Sequence, residues 1–276
     1  MPELPEVETI VREMRPKIVG KTFWKVDLPW PKVALPTAQF LEQMIVGRKV
    51  LDVTRKAKYI IVILDQDMRL VVHLRMTGRV MFVKSKDREK FIRAIFTFSD
   101  ATQMFFSDVR KFGRIWLYHE KEFLVGTGMD KLGVDPFVDE FSLQILQKIL
   151  GGGRMGILKN KLLDQTVIAG IGNIYADEIC FRVGLHPSSR TENLTAENLS
   201  QIYEAILYCL SEGIKHNGAS IQDFRGTRGD SGKHQKYLQV YGRTDDPCYR
   251  CGTPIIKTRV AGRGTFYCKM CQKLLE

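Results

Sequence analysis

The first residues of the chain combine an amine and two carboxylates in a spacing that could support covalent catalysis. Pro2 follows Met1, and removal of Met1 would leave a secondary amine at the chain terminus. Such an amine can attack the C1′ carbon of a sugar and form an iminium without activation of a side chain. Glu3 and Glu6 are three residues apart, so on a helix their carboxylates project to the same side, where they could transfer protons.

The same residues also have a structural interpretation. Proline suits the first turn of a helix, and carboxylates are stabilised near the positive end of the helix dipole. The apolar positions that follow recur with the helical period, and they are Val7, Ile10, Val11 and Met14. Periodicity alone therefore favours an amphipathic helix whose first turn has no catalytic role.

Four cysteines near the carboxyl end predict a zinc site. They form two pairs, each with two residues between its members and sixteen residues between the pairs: Cys248 with Cys251, and Cys268 with Cys271. This is the spacing of a four-thiolate zinc site, and it favours zinc over two disulfides or four packed thiols. Because the set contains no histidine and no open position, we expect one structural Zn²⁺ and no catalytic metal.

Two glycine-bearing segments could bind phosphate. Gly170–Asn173 precedes a predicted helix, Ile174–Cys180, and the free N–H groups at a helix start and the Asn173 amide are suitable donors. Arg263 lies between two glycines at the expected tip of a hairpin, where it could bind a phosphate. A simple helix cap and a solvated turn arginine are the structural alternatives.

Composition indicates a polyanionic partner. The formal net charge is +11, while 44% hydrophobic and 26% charged residues are typical of a globular chain. Nucleic acid fits this charge better than an anionic membrane, because the longest aliphatic run, Ile60–Leu64, is too short to span a bilayer. The acidic, proline-broken amino terminus is unlike a secretory signal peptide, so we expect a cytoplasmic protein, in which disulfides are rare.

The hydrophobic pattern predicts two domains of different class within the 276 residues. Residues 21–118 contain short β-branched and aromatic runs separated by polar turns, which is typical of a β-sandwich or barrel. The predicted strands are Phe23–Leu28, Tyr59–Leu64, Leu70–Leu74, Phe91–Phe98, Met104–Phe106 and Arg114–Tyr118. From about residue 139 to 217 the period is helical, with Thr195 as an N-cap and Gly218 as a stop.

Several longer motifs are spread along nearly the whole chain. They are PELPEVET at residues 2–9, RKAKY at 55–59, HLRMTG at 73–78, DVRKFG at 108–113, DQTVIAGIGNIYADE at 164–178, QVYG at 239–242 and the four cysteines. Together, and in this order, they resemble the motifs of the bacterial formamidopyrimidine-DNA glycosylases, which are 8-oxoguanine DNA glycosylases and AP lyases.

The resemblance implies an α+β fold with two domains and DNA bound in the cleft between them. Residues 1–132 would form an N-terminal catalytic β-sandwich flanked by helices, and residues 133–138 a hinge. Residues 139–238 would form a helical helix–two-turn–helix domain with a lesion-capping loop, and residues 239–276 a zinc finger built on a β-hairpin. The expected partner is double-stranded DNA with oxidised bases or abasic sites, bound by a monomer at the bacterial nucleoid.

The resemblance also assigns catalytic roles in the excision of oxidised purines such as 8-oxoguanine and formamidopyrimidines. Pro2 would displace the damaged base and form an iminium with the sugar, after which β- and δ-elimination would cut both flanking phosphate bonds. Glu3 would transfer protons, and Glu6 would order the amine and the opened sugar. Lys58 would assist departure of the base and hold the adjacent phosphate.

An enzyme that reacts with a base must flip the nucleotide out of the base stack of the duplex, and protein side chains must fill the space that the base leaves. Met76, Arg110 and Phe112 match the intercalating residues of the family. A thioether and a phenyl ring can replace lost stacking, and an arginine can hydrogen-bond to the orphaned base. Without the resemblance each is ordinary: a strand-end methionine, a surface arginine and a core phenylalanine.

The resemblance further places Asn173 and Arg263 against DNA phosphates. Residues 218–236 are polar and glycine-rich, which is typical of a mobile loop. They match the family's loop that closes over the everted base, and the resemblance implies that Ser220, at the base of this loop, is a DNA-binding residue. The slot Phe91–Ala94 departs from the family, because many relatives have two histidines there and this chain has none. A DNA contact by those histidines is therefore not carried over, although Arg93 could supply a cation.

Two other functions stay open. An endonuclease VIII-like glycosylase would prefer oxidised pyrimidines, but those relatives typically have glycine at the position of Leu4. A non-catalytic damaged-DNA-binding protein would not need the complete amino-terminal set together with Lys58. If Met1 is retained, Pro2 has no free amine and cannot form the iminium.

Overall fold

Residues 1–83, 89–151, 155–221 and 224–276 are described by a computed structural model of the chain. The chain forms two units: residues 1–131 with residues 214–235, and residues 132–213 with residues 236–276. The structure therefore differs from the predicted domain organisation in two respects. The predicted zinc finger belongs to the same unit as the helical segment 132–213, and the predicted loop belongs to the first unit. The segment 214–235, which contains most of the predicted lesion-capping loop, belongs to the amino-terminal unit, because its backbone bonds to the first helix. Gln222 and Asp223 of this loop lie outside the described residues.

The first unit contains two β-sheets. Its elements in chain order are α1 (Leu4–Ile18), β1 (Phe23–Asp27), β2 (Ala34–Leu35), α2 (Ala38–Ile45), β3 (Val50–Lys56), β4 (Tyr59–Leu64), β5 (Met68–His73), β6 (Gly78–Met81), β7 (Ile92–Phe98), β8 (Gln103–Asp108), β9 (Arg114–His119) and α3 (Phe123–Thr127). One sheet has the order β1-β7-β8-β6, and the other has the order β2-β9-β5-β4-β3. All pairings are antiparallel except that of β2 with β9.

A shared apolar core fixes the first helix relative to the two sheets. Val7, Ile10 and Met14 recur with the helical period, and all three are buried in the same cluster as side chains of both sheets. Full burial of each such side chain stabilises the fold by roughly 1.5–3 kcal/mol. The helix that carries the candidate catalytic carboxylates is therefore held by packing along its length, and its amino-terminal turn is a rigid part of the unit.

The six strands predicted from the sequence are all present, with ends that shift by one or two residues. Three further strands were not predicted. The segment β3 is interrupted by charged residues, β6 has four residues, and β2 has two residues in parallel pairing, so none shows the apolar alternation on which the prediction depends. The predicted α+β class with an amino-terminal β-sandwich is confirmed.

The second unit is mainly helical. Its elements are α4 (Leu143–Gly151), α5 (Leu158–Leu163), α6 (Asn173–Val183), α7 (Ala196–Lys215), β10 (Ile256–Val260) and β11 (Arg263–Tyr267). The last two residues of α7 belong to the first unit. Thr195 caps α7, since its Oγ1 accepts a hydrogen bond from the Asn198 N–H at 3.1 Å. The helix ends before Gly218, which has a φ of +73°. Among the described residues, no helix has the length and apolar character needed to cross a membrane.

Candidate active site and nucleic-acid interface

The start of α1 brings the predicted amine and carboxylates together. Glu3 is the N-cap residue, and its N–H donates to Glu6 Oε2 at 2.8 Å while the Glu3 carboxylate accepts from the Glu6 backbone. Pro2 is buried, and Glu3 and Glu6 are 3% and 1% exposed. The predicted helix start is therefore confirmed, since the two glutamates form a capping box. The same arrangement fixes two buried carboxylates beside the residue whose amine is proposed to react.

The second oxygen of Glu6 binds the segment that begins the predicted loop. Glu6 Oε1 accepts a hydrogen bond from the Ala219 N–H at 2.7 Å. A Cβ at Gly218 would lie 2.9 Å from Glu6 Cγ, and the φ of +73° also favours glycine. Gly218 was predicted as a helix stop, but its close approach to Glu6 was not visible in the sequence.

Two more positions on α1 hold the loop. Glu13 Oε2 accepts from the Thr227 N–H at 2.5 Å, and Lys17 Nζ donates to Thr227 Oγ1 at 2.7 Å. Glu13 and Lys17 lie seven and eleven positions after Glu6, so the three residues share one face of the helix. One helix therefore carries the candidate catalytic groups at its start and the loop contacts along its side.

Ser220 braces this loop from within. Its hydroxyl donates to the Phe224 carbonyl at 2.8 Å and accepts from the Gly232 N–H at 2.8 Å. At the ends of the loop, the Nδ1 atoms of His216 and His234 lie 3.3 Å apart. Sequence reasoning missed this imidazole pair, because residues eighteen positions apart share no periodic pattern. The structure supports Ser220 as a residue that shapes the loop.

Lys58 lies at a tight turn between β3 and β4. Lys56 pairs with Tyr59, so Ala57 and Lys58 form a two-residue turn, yet the Lys58 side chain is only 4% exposed. Burial, together with the positive charges of Arg75 and Lys58, lowers the pKa of His73 to about 3. At neutral pH the imidazole is therefore uncharged.

His73 supports the loop that follows β5. Its Nδ1 accepts a hydrogen bond from the Arg75 N–H at 3.0 Å, and Arg75 has a φ of +52°. An acceptor at Nδ1 places the remaining ring proton on Nε2. A neutral histidine thus helps to hold the turn that leads to Met76.

The three predicted wedge residues meet at the surface of the first unit. Arg110 Nη1 lies 2.9 Å from Met76 Sδ, and the Arg110 guanidinium lies 4.8 Å from the centroid of the Phe112 ring. Met76 and Phe112 are 41% and 48% exposed. Large apolar side chains with this exposure have surface available for a ligand, as an intercalating wedge requires.

Asp108 organises the backbone of the wedge, and sequence reasoning missed it. Its carboxylate accepts hydrogen bonds from the Thr77 hydroxyl, from the Arg110 N–H at 3.1 Å and from the Gly113 N–H at 2.7 Å. Asp108 is 1% exposed, and these donors offset the cost of burying its charge. One carboxylate thereby joins the loops that carry Met76 and Phe112.

Arg93 also contacts this region. Its Nε donates to the Asp108 carbonyl at 2.9 Å. The slot that lacks the family's histidines therefore contributes a cation to the support of the wedge, whereas the sequence had suggested only that Arg93 could supply one. A glycine is required at position 113 of the wedge loop, because a Cβ at this position would lie 2.5 Å from Cζ of Phe106.

The two predicted phosphate-binding residues of the second unit are close together. Asn173 is the first residue of α6, and its Nδ2 donates to the Gly264 carbonyl at 2.9 Å, so one amide N–H remains for a phosphate. The hairpin turn is formed by Ala261 and Gly262, which both have positive φ, and the exposed Arg263 begins β11. Arg263 therefore lies beside the turn rather than at its tip.

A buried ion pair connects α5 and α6 with the hairpin. Lys159 Nζ lies 2.7 Å from Asp177 Oδ1 and donates to Thr265 Oγ1 at 2.7 Å, and both charged side chains are fully buried. Asp177 Oδ2 accepts from the Phe266 N–H at 3.0 Å. Burial raises the pKa of Asp177 to about 7, and the ammonium of Lys159 opposes that rise.

The neighbouring Glu178 holds the segment that precedes the cysteines. Its carboxylate accepts three backbone N–H groups, those of Gln239, Val240 and Tyr241, at 2.9–3.0 Å. Burial raises the pKa of Glu178, and these three donors oppose the rise. Two adjacent acidic residues of α6 thus fix both sides of the cysteine-bearing unit, a role that their spacing in the sequence does not indicate.

The four predicted ligands form one cluster. All four Sγ atoms lie within 4.8 Å of one another, and the Cys248–Cys271 and Cys251–Cys268 distances are 3.9 and 3.5 Å. Tetrahedral zinc with Zn–S bonds of about 2.3 Å requires Sγ atoms about 3.8 Å apart. The thiolates therefore fit a structural Zn²⁺ with no vacant ligand position. Cys180 and Cys209, in contrast, are buried in helices.

Three family models match the chain in succession. They are the formamidopyrimidine-DNA glycosylase N-terminal domain over residues 1–115, the formamidopyrimidine-DNA glycosylase H2TH domain over residues 132–225, and a zinc finger found in FPG and IleRS over residues 245–274. A formamidopyrimidine-DNA glycosylase from Pelotomaculum thermopropionicum is 40% identical over 276 residues, covering 99% of this chain and all of the relative. The chain belongs to the formamidopyrimidine-DNA glycosylase family.

Solved structures of the family support the same conclusion. A Lactococcus lactis Fpg mutant bound to Fapy-dG-containing DNA matches with a TM-score of 0.90 and 35% identity, covering 99% of this chain and all of that one. The Lactococcus lactis Fpg bound to DNA with an abasic site matches with a TM-score of 0.90 and 35% identity, covering 98% of this chain and 99% of that one. The protein is thus a DNA glycosylase and AP lyase of base excision repair, with one structural zinc ion held by its four clustered cysteines.

Zinc is expected to be required for folding of the cysteine-bearing unit, because its own apolar cluster is small. Cys268→Ser should reduce bound zinc from one ion per chain to none and should weaken DNA binding, while the β-sandwich stays folded. Metal analysis, DNA titration and amide hydrogen exchange measure the three effects. Cys209→Ala, in the core of α7, is the control and should retain zinc. Full DNA affinity of metal-stripped protein would contradict this prediction.

Phe112→Ala should slow excision of a base from the duplex far more than cleavage of a ready-made abasic site. Loss of the wedge leaves an unstacking cost of a few kcal/mol unopposed, which corresponds to a rate loss on the order of tenfold to a hundredfold. Single-turnover rates on the two substrates measure the difference. Phe137→Ala removes a phenyl ring of similar exposure and should leave both rates unchanged. Equal losses on both substrates for Phe112→Ala would show a purely structural role.

Proposed function

We propose that this enzyme removes oxidised purines, 8-oxoguanine and formamidopyrimidines, through an iminium on Pro2 and then cuts the strand by β,δ-elimination. The observation that carries the proposal is the buried start of α1, where Glu3 and Glu6 lie next to Pro2 in a fixed hydrogen-bonded frame. The Fapy-dG lesion in the Lactococcus lactis complex supports this lesion class. Leu4 supports it too, because endonuclease VIII-like relatives typically have glycine at that position.

The first step exchanges one bond for another at the sugar. After removal of Met1, the lone pair of the Pro2 nitrogen attacks C1′, and the bond between C1′ and the base breaks with its electron pair on the base. Glu3 transfers the protons that base departure and opening of the sugar ring require. Lys58 stabilises the negative charge that develops on the departing base, and it binds the adjacent phosphate.

Opening of the sugar ring breaks the C1′–O4′ bond, O4′ takes a proton, and the nitrogen lone pair forms the C1′=N bond of the iminium. The iminium then allows the strand to be cut. The cationic nitrogen withdraws electrons from C1′ and acidifies the C2′ hydrogen, so loss of that proton expels the 3′ phosphate. A second elimination expels the 5′ phosphate, and water releases the sugar fragment and regenerates the amine. Glu6 orders the amine and the opened sugar, and its bond to Ala219 ties this group to the loop.

The remaining contacts are assigned to DNA binding. The wedge enters the base stack of the DNA through Met76, Arg110 and Phe112. The DNA phosphates are bound by Asn173 and Arg263. Ser220 acts through the shape of the loop, since its hydroxyl already bonds to two loop backbone groups. The zinc ion takes part in no reaction step; its thiolates hold the hairpin that presents Arg263. We further propose that the enzyme acts as a monomer at the bacterial nucleoid.

Borohydride added during turnover should leave the protein covalently attached to DNA through Pro2. The terminal secondary amine has a reference pKa of roughly 8, so an appreciable neutral fraction exists at working pH, whereas a lysine starts near about 10.4. Duplexes with 8-oxoguanine and with thymine glycol should be compared, and trapping should be faster on 8-oxoguanine. Peptide mapping identifies the attached residue.

Protein that retains Met1, identified by its intact mass, is the matched control and should give no crosslink. A crosslink at Lys58, or efficient trapping with Met1 attached, would refute the Pro2 mechanism while leaving the glycosylase assignment in place. Faster trapping on thymine glycol would favour the alternative function, an endonuclease VIII-like preference for oxidised pyrimidines. Binding of damaged DNA without any trapping or excision would favour a non-catalytic binding protein.

DNA affinity should depend strongly on salt. If about three cations meet phosphates, log K should fall against log salt with a slope of about −3, and Arg263→Ala should flatten the slope by roughly one unit. Arg259→Ala, at an exposed arginine on the neighbouring strand β10, is the matched control and should leave the slope unchanged. Titrations of the protein with DNA at salt concentrations from low to moderate measure this slope. An unchanged slope for Arg263→Ala would remove this residue from the interface.

A further inference from the structure

The turn that carries Lys58 is held by a buried arginine. The Arg55 side chain is 2% exposed, and its Nη1 donates to the Ala57 carbonyl at 2.9 Å. Its Nε donates to Glu8 Oε2 at 3.1 Å. Arg55 therefore connects the β3–β4 turn with the first helix. It is the first residue of the RKAKY motif, and the proposed mechanism gives it no role.

The bond to Ala57 acts on the backbone that leads to Lys58. Ala57 is the first of the two turn residues, it is 1% exposed, and its φ is +51°, which is unfavourable for a residue with a Cβ. Its carbonyl belongs to the peptide unit that joins it to Lys58. A planar guanidinium with donors in fixed directions holds that peptide in one orientation, and this sets the direction in which Lys58 leaves the turn.

Glu8 connects the arginine to the rigid part of the unit. It lies on α1, two residues beyond Glu6, and this helix is fixed by its buried apolar face. The contacts run from α1 through Glu8 and Arg55 to the Ala57 carbonyl. The helix that starts at the candidate catalytic carboxylates and the turn that carries Lys58 are thus joined by a side-chain pair with a defined geometry.

The energetics of such a pair favour a positioning role over a stabilising one. Arg55 is buried and Glu8 is 20% exposed. Desolvation of a largely buried ion pair offsets much of its electrostatic attraction, so replacement of both partners by apolar residues is often neutral for stability. Two apolar residues could not reproduce the directed hydrogen bonds of Arg55 to the Ala57 carbonyl and to Glu8. Displacement of a catalytic group by about 1 Å can reduce a rate on the order of a hundredfold.

We propose that Arg55 is a positioning residue for base excision, which together with Glu8 sets the place of Lys58 relative to the amino-terminal turn of α1. The inference rests on the proposed function, in which Lys58 assists departure of the base. Arg55 itself contacts no reacting atom in this assignment. Its effect is confined to the step that needs Lys58 in its correct place.

Arg55→Lys is the principal test variant, because it keeps the positive charge and loses the forked donor geometry. Glu8→Leu combined with Arg55→Met removes both partners of the ion pair and leaves no unpaired buried charge. Arg12→Met is the matched control: Arg12 binds the other oxygen of Glu8, at 2.8 Å, but its side chain is 63% exposed. Each variant is assayed for thermal midpoint, DNA affinity, single-turnover excision of 8-oxoguanine and borohydride trapping on a preformed abasic site.

Arg55→Lys and the double variant should lose about tenfold or more of the excision rate, with DNA affinity and trapping on the abasic site changed by less than about twofold. In a Lys58→Gln background, Arg55→Lys should cause no further loss, since both changes affect one group. Arg12→Met should match the wild type in all assays.

Additive losses from Arg55→Lys and Lys58→Gln, or equal losses of excision and trapping, would overturn the proposal, because either result indicates a general structural role. Unchanged excision in Arg55→Lys would overturn it too. Failure of the proposed function is recognised separately, since wild-type protein would then show no trapped complex and no excision. If the double variant does not fold, the effect of Arg55→Lys in the wild-type and Lys58→Gln backgrounds still decides whether Arg55 acts through Lys58.

Discussion

The hydrogen bonds of the Glu6 carboxylate determine how the candidate active site is assembled. One oxygen accepts the N–H of Glu3 and the other accepts the N–H of Ala219, and the group is almost fully buried. A buried carboxylate is costly unless fixed donors surround it, so these two backbone groups must stay where they are. The start of α1 and the start of the loop that follows α7 are therefore held at a common point, which is the place where the proposed amine lies.

Buried acids play the same part elsewhere in the molecule. Asp108 collects donors from both wedge loops, Asp177 binds the hairpin strand and the ammonium of Lys159, and Glu178 holds the segment before the cysteines. In each case a buried carboxylate accepts backbone N–H groups from the segment that it holds. This arrangement uses negative charge inside the fold, where it meets N–H donors, and leaves the exposed positive charge available to phosphates.

Short-range patterns allowed much of this protein to be predicted from its sequence. The cysteine spacing indicated the zinc site because ligands of one knuckle are neighbours in the chain, and alternating apolar residues indicated the long strands. Pro2, Glu3 and Glu6 form a single turn, so their proximity is local as well. The wedge residues were identified only through the family resemblance, since Met76 and Phe112 have no spacing that would mark them alone.

Only the tertiary structure showed which distant groups support these motifs. Thr77 bonds to Asp108 across 31 positions, Lys159 to Thr265 across 106, and Glu6 to Ala219 across 213. A hydrogen bond between such partners depends on packing of whole elements and leaves no period or spacing in the chain. The sequence by itself therefore determined which residues could do the chemistry and which local elements carry them. The long-range contacts that hold those residues in place were decided by the fold, because only folding brings their donors and acceptors within bonding distance.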